Sequence, residues 1–327
     1  MDKSKKRVLV AGGAGFIGSH LCKSLLDDNY KVICVDNFLT SDKSNLQSLL
    51  QNPSFILIEH DLIKPIPALR FDSGQKIDCV FHLASPASPN KKSKRSYMNF
   101  PIETLLVNSL GTYNLLDLSR KFNAKFLYAS SSEVYGDPAM SPQKEEYFGN
   151  VNPNGARSVY DEGKRFGEAL TMGYVRKYNL DARVIRIFNT YGPVMLADDG
   201  RVVSNFISQA IKDNPITVYG KGAQTRSFCY IDDMILGVKL AMFSANTKGE
   251  VFNLGNPDER TVLDIAKLIK NMTSSGSEMI FEQLPEGDPK VRKPDITKAK
   301  EILKWEPKVT MEAGLQRTID YFKSILI

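Results

Sequence analysis

Cysteine and histidine are scarce in this sequence, and a long hydrophobic run is absent. The 327 residues include three histidines and four cysteines, and the cysteines are widely spaced without a Cys-x-x-Cys pair. We therefore expect reduced thiols in a core and no metal site. No stretch approaches the roughly 20 apolar residues that span a bilayer, and the polar, basic start does not resemble a signal peptide. These features predict a soluble cytoplasmic protein without a membrane partner.

The sequence also lacks a large excess of charge of either sign. The formal net charge is +6, and part of the excess lies in two short basic runs, one at the start and one at Lys91–Arg95. Such runs are usually solvated tails or loops, so we do not expect nucleic acid as a partner. A modest positive excess also suits an anionic small substrate.

Short apolar runs alternate with stretches of helical spacing through the first 190 residues. The runs lie at Arg7–Val10, Lys31–Asp36, Phe55–Ile58, Cys79–Leu83, Lys125–Ala129 and Arg183–Phe188. This alternation predicts an α/β fold with a Rossmann-type, doubly wound parallel sheet. After about Tyr191, shorter strands mix with helices, which indicates a smaller C-terminal α/β lobe interleaved with the first domain. We predict a dinucleotide-binding domain over 1–190, with a return at about 228–256, and a second lobe over 191–327.

Three glycines, Gly12, Gly15 and Gly18, follow the first predicted strand and open the first predicted helix. In this context glycine lets the chain turn tightly and lets backbone N–H groups approach a pyrophosphate, whose charge the helix N-terminus favours. We expect Phe16 and Ile17, which belong to the same turn, to contact the cofactor as well. The pattern predicts a dinucleotide site.

Asp36 and Asn37 end the second predicted strand, 18 residues beyond Gly18. A carboxylate at this place accepts hydrogen bonds from a ribose diol and repels a 2′-phosphate. NAD is therefore predicted as the cofactor in preference to NADP. Five further residues follow the third and fourth strands, at the edge where we expect the cofactor cleft: Asp61, Leu62, Leu83, Ala84 and Ser85.

Tyr160 and Lys164 stand four residues apart, so they share one face of a predicted helix. A free tyrosine has a pKa of about 10, which is too high for a base at neutral pH. A nearby ammonium and the positive charge of a nicotinamide both favour the phenolate. Together with the glycine turn, this pair predicts a nicotinamide enzyme that oxidises an alcohol.

Seven segments share a further pattern: Ser130–Gly136, His82–Pro89, Tyr160–Lys164, Arg186–Pro193, Asp199–Phe206, Gln224–Phe228 and Arg292–Asp295. Together they resemble one branch of the extended short-chain dehydrogenase/reductase family, the UDP-glucuronate decarboxylases. Ser132 stands where the 4,6-dehydratases of the family have an aspartate that protonates the leaving hydroxyl. Glu133 is retained, whereas simple 4-epimerases usually lack it. The resemblance covers essentially the whole chain.

The resemblance implies decarboxylation of UDP-glucuronate to UDP-xylose through a 4-keto intermediate, with internal recycling of NAD. Ser131 would complete a catalytic set with Tyr160 and Lys164, while Glu133 and Arg292 would assist decarboxylation and reprotonation of C5. The later lobe would bind the nucleotide-sugar, and the chain would form a homodimer through the helices near 108–122 and 160–178. The implied substrate-binding residues are Pro86, Tyr97, Asn189, Arg201, Tyr219, Arg226 and Arg292.

Other interpretations of the same residues stay open. A nucleotide-sugar 4-epimerase or 4,6-dehydratase is the nearest enzymatic alternative, and the galacturonate ester is an alternative substrate. A catalytically silent NAD-binding sensor is a distant one, because such a protein is expected to lose Tyr160 or Lys164, and both are present. Asn90–Ser96 is interpreted as an insertion within the family pattern, without an assigned role.

Overall fold

The structure is a computed structural model that describes residues 6–65, 76–285 and 287–327. The basic start of the chain, residues 1–5, lies outside these ranges. Residues 66–75 of the predicted first domain, 1–190, lie outside them as well. Helices and strands are numbered along the chain. Seven strands form the main sheet: β1 (Arg7–Ala11), β2 (Lys31–Asp36), β3 (Phe55–Glu59), β4 (Cys79–His82), β5 (Lys125–Ser131), β6 (Ala182–Ile187) and β11 (Val251–Leu254).

The spatial order of these strands is β11-β6-β5-β4-β1-β2-β3, and every neighbouring pair is parallel. The chain runs outward from β1 in one direction and then crosses to the other side at β4. Carboxyl ends of strands on both sides of this switch point meet at one edge, where open α/β sheets bind ligands. The predicted fold class is confirmed.

The strands are apolar because both faces of the sheet are covered. In β1, Val8 and Val10 belong to one hydrophobic core cluster, and Leu9, between them, belongs to another on the opposite face; all three are fully buried. Successive side chains of a strand point to opposite faces, so a doubly covered strand has no polar alternate positions. At the edge strand β3 the cover is incomplete, and Ile56 is half exposed.

Eight α-helices accompany the strands in the described residues. They are α1 (Phe16–Asp27), α2 (Pro101–Leu106), α3 (Thr112–Phe122), α4 (Ser158–Tyr178), α5 (Val202–Ile211), α6 (Ile231–Phe243), α7 (Val262–Thr273) and α8 (Met311–Leu326). Helices α1 and α6 pack together, and α4 packs against α2 and α3. A π-helical turn over Val107–Gly111 joins α2 to α3. Shorter helical turns lie at Lys43–Leu46, Ser132–Tyr135 and Ala299–Leu303. None of the helices in the described ranges is long and apolar enough to cross a membrane.

Three strand pairs lie outside the main sheet. They are β7 (Thr190–Tyr191) with β10 (Cys229–Tyr230), β8 (Ile216–Tyr219) with β13 (Met279–Glu282), and β9 (Thr225–Ser227) with β12 (Glu259–Thr261). In the sequence, β11 lies between β10 and β12, but it joins β6 in the main sheet. Helix α6 packs on β5, β6 and β11. The chain therefore passes repeatedly between the main sheet and the smaller strand pairs.

Candidate active site

A deep cleft lies at the carboxyl edge of the main sheet. It consists of a cavity of about 690 Å³ and a smaller one of about 160 Å³. Both cavities are bordered by Gly12, Gly15, Leu83 and Ser85, so they adjoin at the glycine turn. The smaller cavity extends toward the end of β2, and the larger one extends over the ends of β5 and β6 toward the second lobe.

The glycine turn is built on close backbone contacts. Gly12 has φ +77°, and a Cβ added there would lie 2.5 Å from the backbone nitrogen of Ala84. A Cβ on Gly18 would lie 2.1 Å from the carbonyl oxygen of Gly12. Both positions therefore require glycine, since no backbone atom here can move aside cheaply. These contacts hold α1 directly against the ends of β1 and β4.

Gly15 has a different environment from Gly12 and Gly18. The space beside it and the N-terminus of α1 are open to a dinucleotide. A Cβ on Gly15 would meet only the Gly12 carbonyl oxygen, at 3.3 Å, and otherwise open space. Gly15 is the N-cap of α1, and no side chain caps this helix. Phe16, Ile17 and Gly18 in the first turn border the larger cavity. The N-terminus thus presents backbone N–H groups and a partial positive charge to the cleft, as pyrophosphate binding needs.

Asp36 lies at the end of β2 and borders the smaller cavity. One carboxylate oxygen accepts a 2.9 Å hydrogen bond from the backbone N–H of Ala14, and the other accepts from Phe38 N–H and the Ser41 hydroxyl. A carboxylate has about four acceptor positions, so a ribose hydroxyl has room beside these three donors. Asp36 therefore also anchors the glycine turn, a structural task that the sequence pattern did not indicate.

The other predicted cofactor residues divide between the two cavities. Leu83 and Ser85 border both, whereas Asn37, Asp61 and Ala84 border the smaller one. Leu62 is buried in the core cluster on one face of the sheet and borders neither cavity.

Tyr160 and Lys164 lie side by side on α4, and both border the larger cavity. Lys164 donates a 2.9 Å hydrogen bond to the Ala129 carbonyl, and its nitrogen lies 5.6 Å from the centroid of the Tyr160 ring. Burial lowers the pKa of Lys164 to about 7. Burial raises the pKa of Tyr160 to about 12, and a hydrogen bond with Ser131 opposes this rise. The i, i+4 spacing has brought the pair together as predicted.

Ser131 is the last residue of β5, and its hydroxyl caps the short helical turn Ser132–Tyr135 by accepting a 3.2 Å hydrogen bond from Glu133 N–H. The cap fixes the direction in which the chain leaves the sheet. As a result, Ser131, Ser132 and Glu133 all border the larger cavity beside Tyr160.

Glu133 is held by two arginines. Arg157 donates a 2.6 Å hydrogen bond to its carboxylate, and Arg292 donates one of 3.1 Å to the same oxygen. Burial opposes ionisation of Glu133, but Arg157 and Arg292 outweigh it and lower its pKa to about 2. Arg157 also pairs with Asp288 at 3.6 Å, and Asp288 pairs with Arg226 at 2.8 Å. The wall of the cavity therefore carries a row of alternating charges.

Arg292 stands behind Glu133 rather than at the cavity surface. It is 1% exposed and donates a 2.7 Å hydrogen bond to the Ser132 carbonyl. Among the described residues, Glu133 and Arg157 border the larger cavity, whereas Arg292 borders neither cavity. In this arrangement Arg292 acts on the cavity through Glu133.

The other predicted substrate residues are brought to the cleft from several elements. Tyr97, Asn189, Arg201, Tyr219 and Arg226 border the larger cavity, whereas Pro86 borders only the smaller one. Both arginines are paired with carboxylates that also border the cavity, Arg201 with Asp199 at 2.7 Å and Arg226 with Asp288 at 2.8 Å.

The segment Asn90–Ser96, which the sequence suggested to be an insertion, contributes Asn90, Lys91, Lys92 and Arg95 to the wall of the larger cavity. Arg95 donates hydrogen bonds to the backbone carbonyls of Thr40, at 2.9 Å, and Ser41, at 3.2 Å. The same side chain bonds to the Asp198 carboxylate at 3.2 Å. Asp198 lies in the loop before α5, so Arg95 joins that loop to the turn at Thr40 and Ser41.

Sequence reasoning missed two charged residues of the site, Arg157 and Asp288. Arg157 is the N-cap of α4, three positions before Tyr160, which places it one helical turn from that tyrosine. That spacing was a usable signal. Asp288 gave none, because its partners Arg157 and Arg226 are distant in the sequence and only the fold brings them within reach.

Comparison with protein families finds a match to the NAD dependent epimerase/dehydratase family over residues 8–255. Similar sequences include UDP-glucuronic acid decarboxylase 1 of Xenopus tropicalis, which is 47% identical over 325 residues, or 99% of this chain and 74% of that protein. UDP-glucuronic acid decarboxylase 1 of Arabidopsis thaliana is also 47% identical, over 100% of this chain and 72% of that protein.

Solved structures with the same fold include two epimerases. UDP-glucose 4-epimerase from Thermotoga maritima, solved with UDP-glucose, has a TM-score of 0.88 at 31% identity and covers 98% of this chain and 100% of its own. UDP-glucuronic acid 4-epimerase from Bacillus cereus was solved with UDP-glucuronic acid and NAD. It has a TM-score of 0.86 at 31% identity, and the match covers 98% of this chain and 99% of the epimerase.

Proposed function

Because the chain belongs to the NAD dependent epimerase/dehydratase family, we propose that it decarboxylates UDP-glucuronate to UDP-xylose and regenerates its NAD in each turnover. The predicted resemblance to UDP-glucuronate decarboxylases is confirmed by relatives of that name at 46–48% identity over nearly the whole chain. The observation in the structure that carries the proposal is the ionised Glu133, held between Arg157 and Arg292 beside Tyr160.

NAD is the cofactor of the family, as the sequence predicted. We assign its pyrophosphate to the uncapped N-terminus of α1 and its adenosine ribose to the smaller cavity beside Asp36. Held by the glycine turn and Asp36, NAD would supply reversible hydride transfer at C4 of the sugar. The larger cavity then has to hold the sugar against Tyr160.

Three residues act on the C4 hydroxyl in this proposal. Tyr160 takes its proton, and Ser131 hydrogen-bonds the same oxygen and orients it. Lys164 and the cationic cofactor favour the phenolate form of Tyr160, which burial alone disfavours. The hydrogen bond from Lys164 to the Ala129 carbonyl fixes the amine beside the tyrosine ring.

Oxidation at C4 makes the sugar a β-keto acid, because its carboxylate stands on the neighbouring carbon C5. Such an acid loses carbon dioxide without a metal, since the electron pair of the broken bond enters the enolate. Glu133 remains ionised, so it serves as an acceptor and as a fixed negative charge. Departure of a carboxylate as neutral carbon dioxide relieves repulsion from that charge. Arg157 supplies the compensating positive charge at the cavity wall.

The test is to supply UDP-glucuronate to the purified protein with NAD and without a reductant. We expect carbon dioxide and UDP-xylose in equal amounts, and Tyr160→Phe should abolish both. Tyr178→Phe is the matched control, because Tyr178 is on the same helix and is 43% exposed at its far end. Absence of carbon dioxide from the unaltered protein would exclude the proposal. UDP-galacturonate as product would instead favour a 4-epimerase, the activity named for the relative from Bacillus cereus.

A homodimer is part of the proposal. Large apolar side chains are exposed on α2, α3, α4 and the intervening turn: Ile102, Leu105, Leu106, Leu110, Tyr113 and Phe166. A contiguous apolar face of this kind is typical of a protein interface. Light scattering on the eluted protein should give twice the chain mass, and Leu110→Glu with Phe166→Glu should give the monomer.

Location, partners and domain roles are proposed on the same basis. The four cysteines are free and buried, as in a protein kept in the reducing cytoplasm. A UDP-sugar is the proposed partner, without nucleic acid or membrane. We assign 1–190 chiefly to NAD and 191–327 chiefly to the nucleotide-sugar. Arg201 and Arg226 support this division, because both reach the cavity from the second lobe.

A further inference from the structure

We propose that Tyr97 is a second catalytic tyrosine, which gives a proton to C5 after carbon dioxide has left. This inference rests on the proposed decarboxylation, because only that reaction leaves a carbanion equivalent at C5. Tyr97 was predicted to bind substrate, and the structure places its side chain at the wall of the larger cavity. The geometry of its ring and hydroxyl gives it a chemical task as well.

The rings of Tyr97 and Tyr160 are stacked. Their centroids lie 4.9 Å apart, and their planes differ by 9°. Burial raises the pKa of both phenols, and the Glu133 and Asp161 carboxylates add to the rise in each. The same two carboxylates therefore act on both hydroxyls, and both tyrosines border the larger cavity. Two phenols arranged side by side can address two neighbouring atoms of one substrate.

The Tyr97 hydroxyl is buried and has no hydrogen-bond partner within the described part of the chain. The whole residue is 1% exposed. A buried hydroxyl is normally bonded, so one that borders an active-site cavity is expected to find its partner in the ligand. Its raised pKa keeps it protonated at neutral pH, which a proton donor needs.

The neighbouring groups are less suited to this step. Glu133 is ionised and held by two arginines, so it has no proton to give. Arg292 stands behind Glu133 and does not border the cavity, as described above. Tyr160 is occupied at the C4 oxygen, where it must later return the proton that it took. Asp161 also has a raised pKa, of about 8, but among the described residues it borders neither cavity. Tyr97 is a neutral acid that borders the larger cavity beside Tyr160.

Backbone hydrogen bonds hold Tyr97 in position, and they support the stacking of its ring on Tyr160. Its N–H donates a 3.1 Å hydrogen bond to the Ser88 carbonyl, and Ser88 and Ser96 form an isolated β-bridge. These contacts close the base of the inserted segment Asn90–Ser96. The segment can therefore vary in length without moving Tyr97 from Tyr160.

The step balances without a further reagent. The bond from C5 to the carboxylate carbon breaks, and its electron pair forms the enolate of the C4 ketone. The enolate then takes the proton of the Tyr97 hydroxyl at C5, which forms a C–H bond and leaves a phenolate. Arg157 favours this phenolate electrostatically, because it lowers the pKa of Tyr97 against the larger effect of burial. A proton from water restores the hydroxyl, so each turnover consumes one solvent proton.

The experiment is a turnover of UDP-glucuronate in D2O, with NMR analysis of deuterium at C5 of the UDP-xylose. The unaltered protein should place one deuterium on one face of C5. Tyr97→Phe keeps the stacked ring but has no acid, so it should form product about 100-fold more slowly and place deuterium on both faces. Carbon dioxide should still be released, and KM should change little. Tyr191→Phe is the control, since Tyr191 is also 1% exposed and its hydroxyl bonds to the Met311 carbonyl in the core.

Two outcomes separate this inference from the proposed function. If the unaltered protein releases no carbon dioxide, the proposed function fails and the role of Tyr97 fails with it. If it does, and Tyr97→Phe keeps deuterium on one face at a rate within about threefold, only the role of Tyr97 is overturned.

A second variant covers the case in which Tyr97→Phe does not fold. It carries 3-fluorotyrosine at position 97, a phenol of nearly the same size with a more acidic hydroxyl. The pH profile of product formation should move to lower pH if Tyr97 gives the proton, and an unchanged profile would overturn the inference.

Discussion

Arg157 and Glu133 are joined by a hydrogen bond of 2.6 Å, which links the start of α4 to the chain that leaves β5. The side chains are 10% and 18% exposed, so water screens the pair only weakly. The pair continues through Asp288 to Arg226 in the second lobe. The charge of Glu133 is therefore linked through Arg157 and Asp288 to Arg226, which is distant in the sequence.

Glu133→Gln should separate the two halves of the reaction. The amide keeps the shape of the side chain but removes the fixed negative charge, so we expect oxidation at C4 to remain detectable while carbon dioxide release slows at least about tenfold. Two measurements test this expectation. NADH absorbance after rapid mixing follows oxidation at C4, and trapping of the released carbon dioxide follows decarboxylation. A fully active variant would show that the role of Glu133 is structural.

The matched control for this change is Glu162→Gln. Glu162 lies on α4 and pairs with Arg165 at 3.4 Å, and both side chains are 39% exposed. An exposed pair of this kind contributes at most about 1 kcal/mol. Both rates should therefore stay at the level of the unaltered protein. If the control slows carbon dioxide release as much as Glu133→Gln does, a general loss of charge is responsible rather than the site.

Gly18→Ala should damage the glycine turn. The added methyl group would lie 2.1 Å from the Gly12 carbonyl oxygen, so α1 has to shift away from β1. We expect a clearly lower melting temperature and loss of measurable NAD binding by calorimetry. Gly173→Ala, in the middle of α4, is the control because its methyl group meets no atom within 4 Å. Alanine at an open helical position should stabilise the protein by up to about 1 kcal/mol.

The main sheet was predictable because its signals are local. Residues such as Val8, Leu9 and Val10 are apolar in succession since both faces of the strand are buried, and that pattern is visible in the sequence. The glycine turn was predictable for the same reason. The π-helical turn Val107–Gly111 was not, because its apolar spacing is that of an ordinary helix and the interruption depends on packing against α4.

The site was predictable only as far as its residues follow single elements. Tyr160 and Lys164 are fixed by one helix, so their spacing was sufficient. The stack of Tyr97 on Tyr160 and the pair of Arg157 with Asp288 join segments that are distant in the sequence. No periodicity encodes such contacts, and a resemblance identifies the residues without their geometry.

Asp161→Asn should change how stability depends on pH. Burial, and then the Glu133 charge, raise the pKa of Asp161 to about 8 from a usual value near 4. The unfolded chain releases this proton at lower pH than the folded protein, so the stability contribution is complete below about pH 4 and is lost as pH rises to about 8. We expect the variant to be more stable than the unaltered protein at pH 8, by up to about 5 kcal/mol at about 1.4 kcal/mol per pKa unit, and similar to it near pH 4.

Urea titrations at several pH values measure this difference. Asp320→Asn is the control, since Asp320 is exposed on α8 and bonds only to Gln316 among the described contacts. Its stability difference should not change with pH. A constant difference for Asp161→Asn as well would show that Asp161 is ionised in the folded protein throughout this range.

Arg95→Ala should release NAD faster. Arg95 bonds to the Thr40 and Ser41 carbonyls, and both residues border the smaller cavity, which is assigned to the adenosine ribose, as well as the larger one. The same guanidinium also bonds to Asp198, in the loop before α5. Loss of charge-assisted hydrogen bonds costs about 1.5–3 kcal/mol, so NAD should dissociate at least about tenfold faster in a chase with excess unlabelled NAD. Lys94→Ala removes the same charge from an exposed position of the segment and should leave the rate unchanged. Equal rates in both variants would mean that the segment does not retain the cofactor.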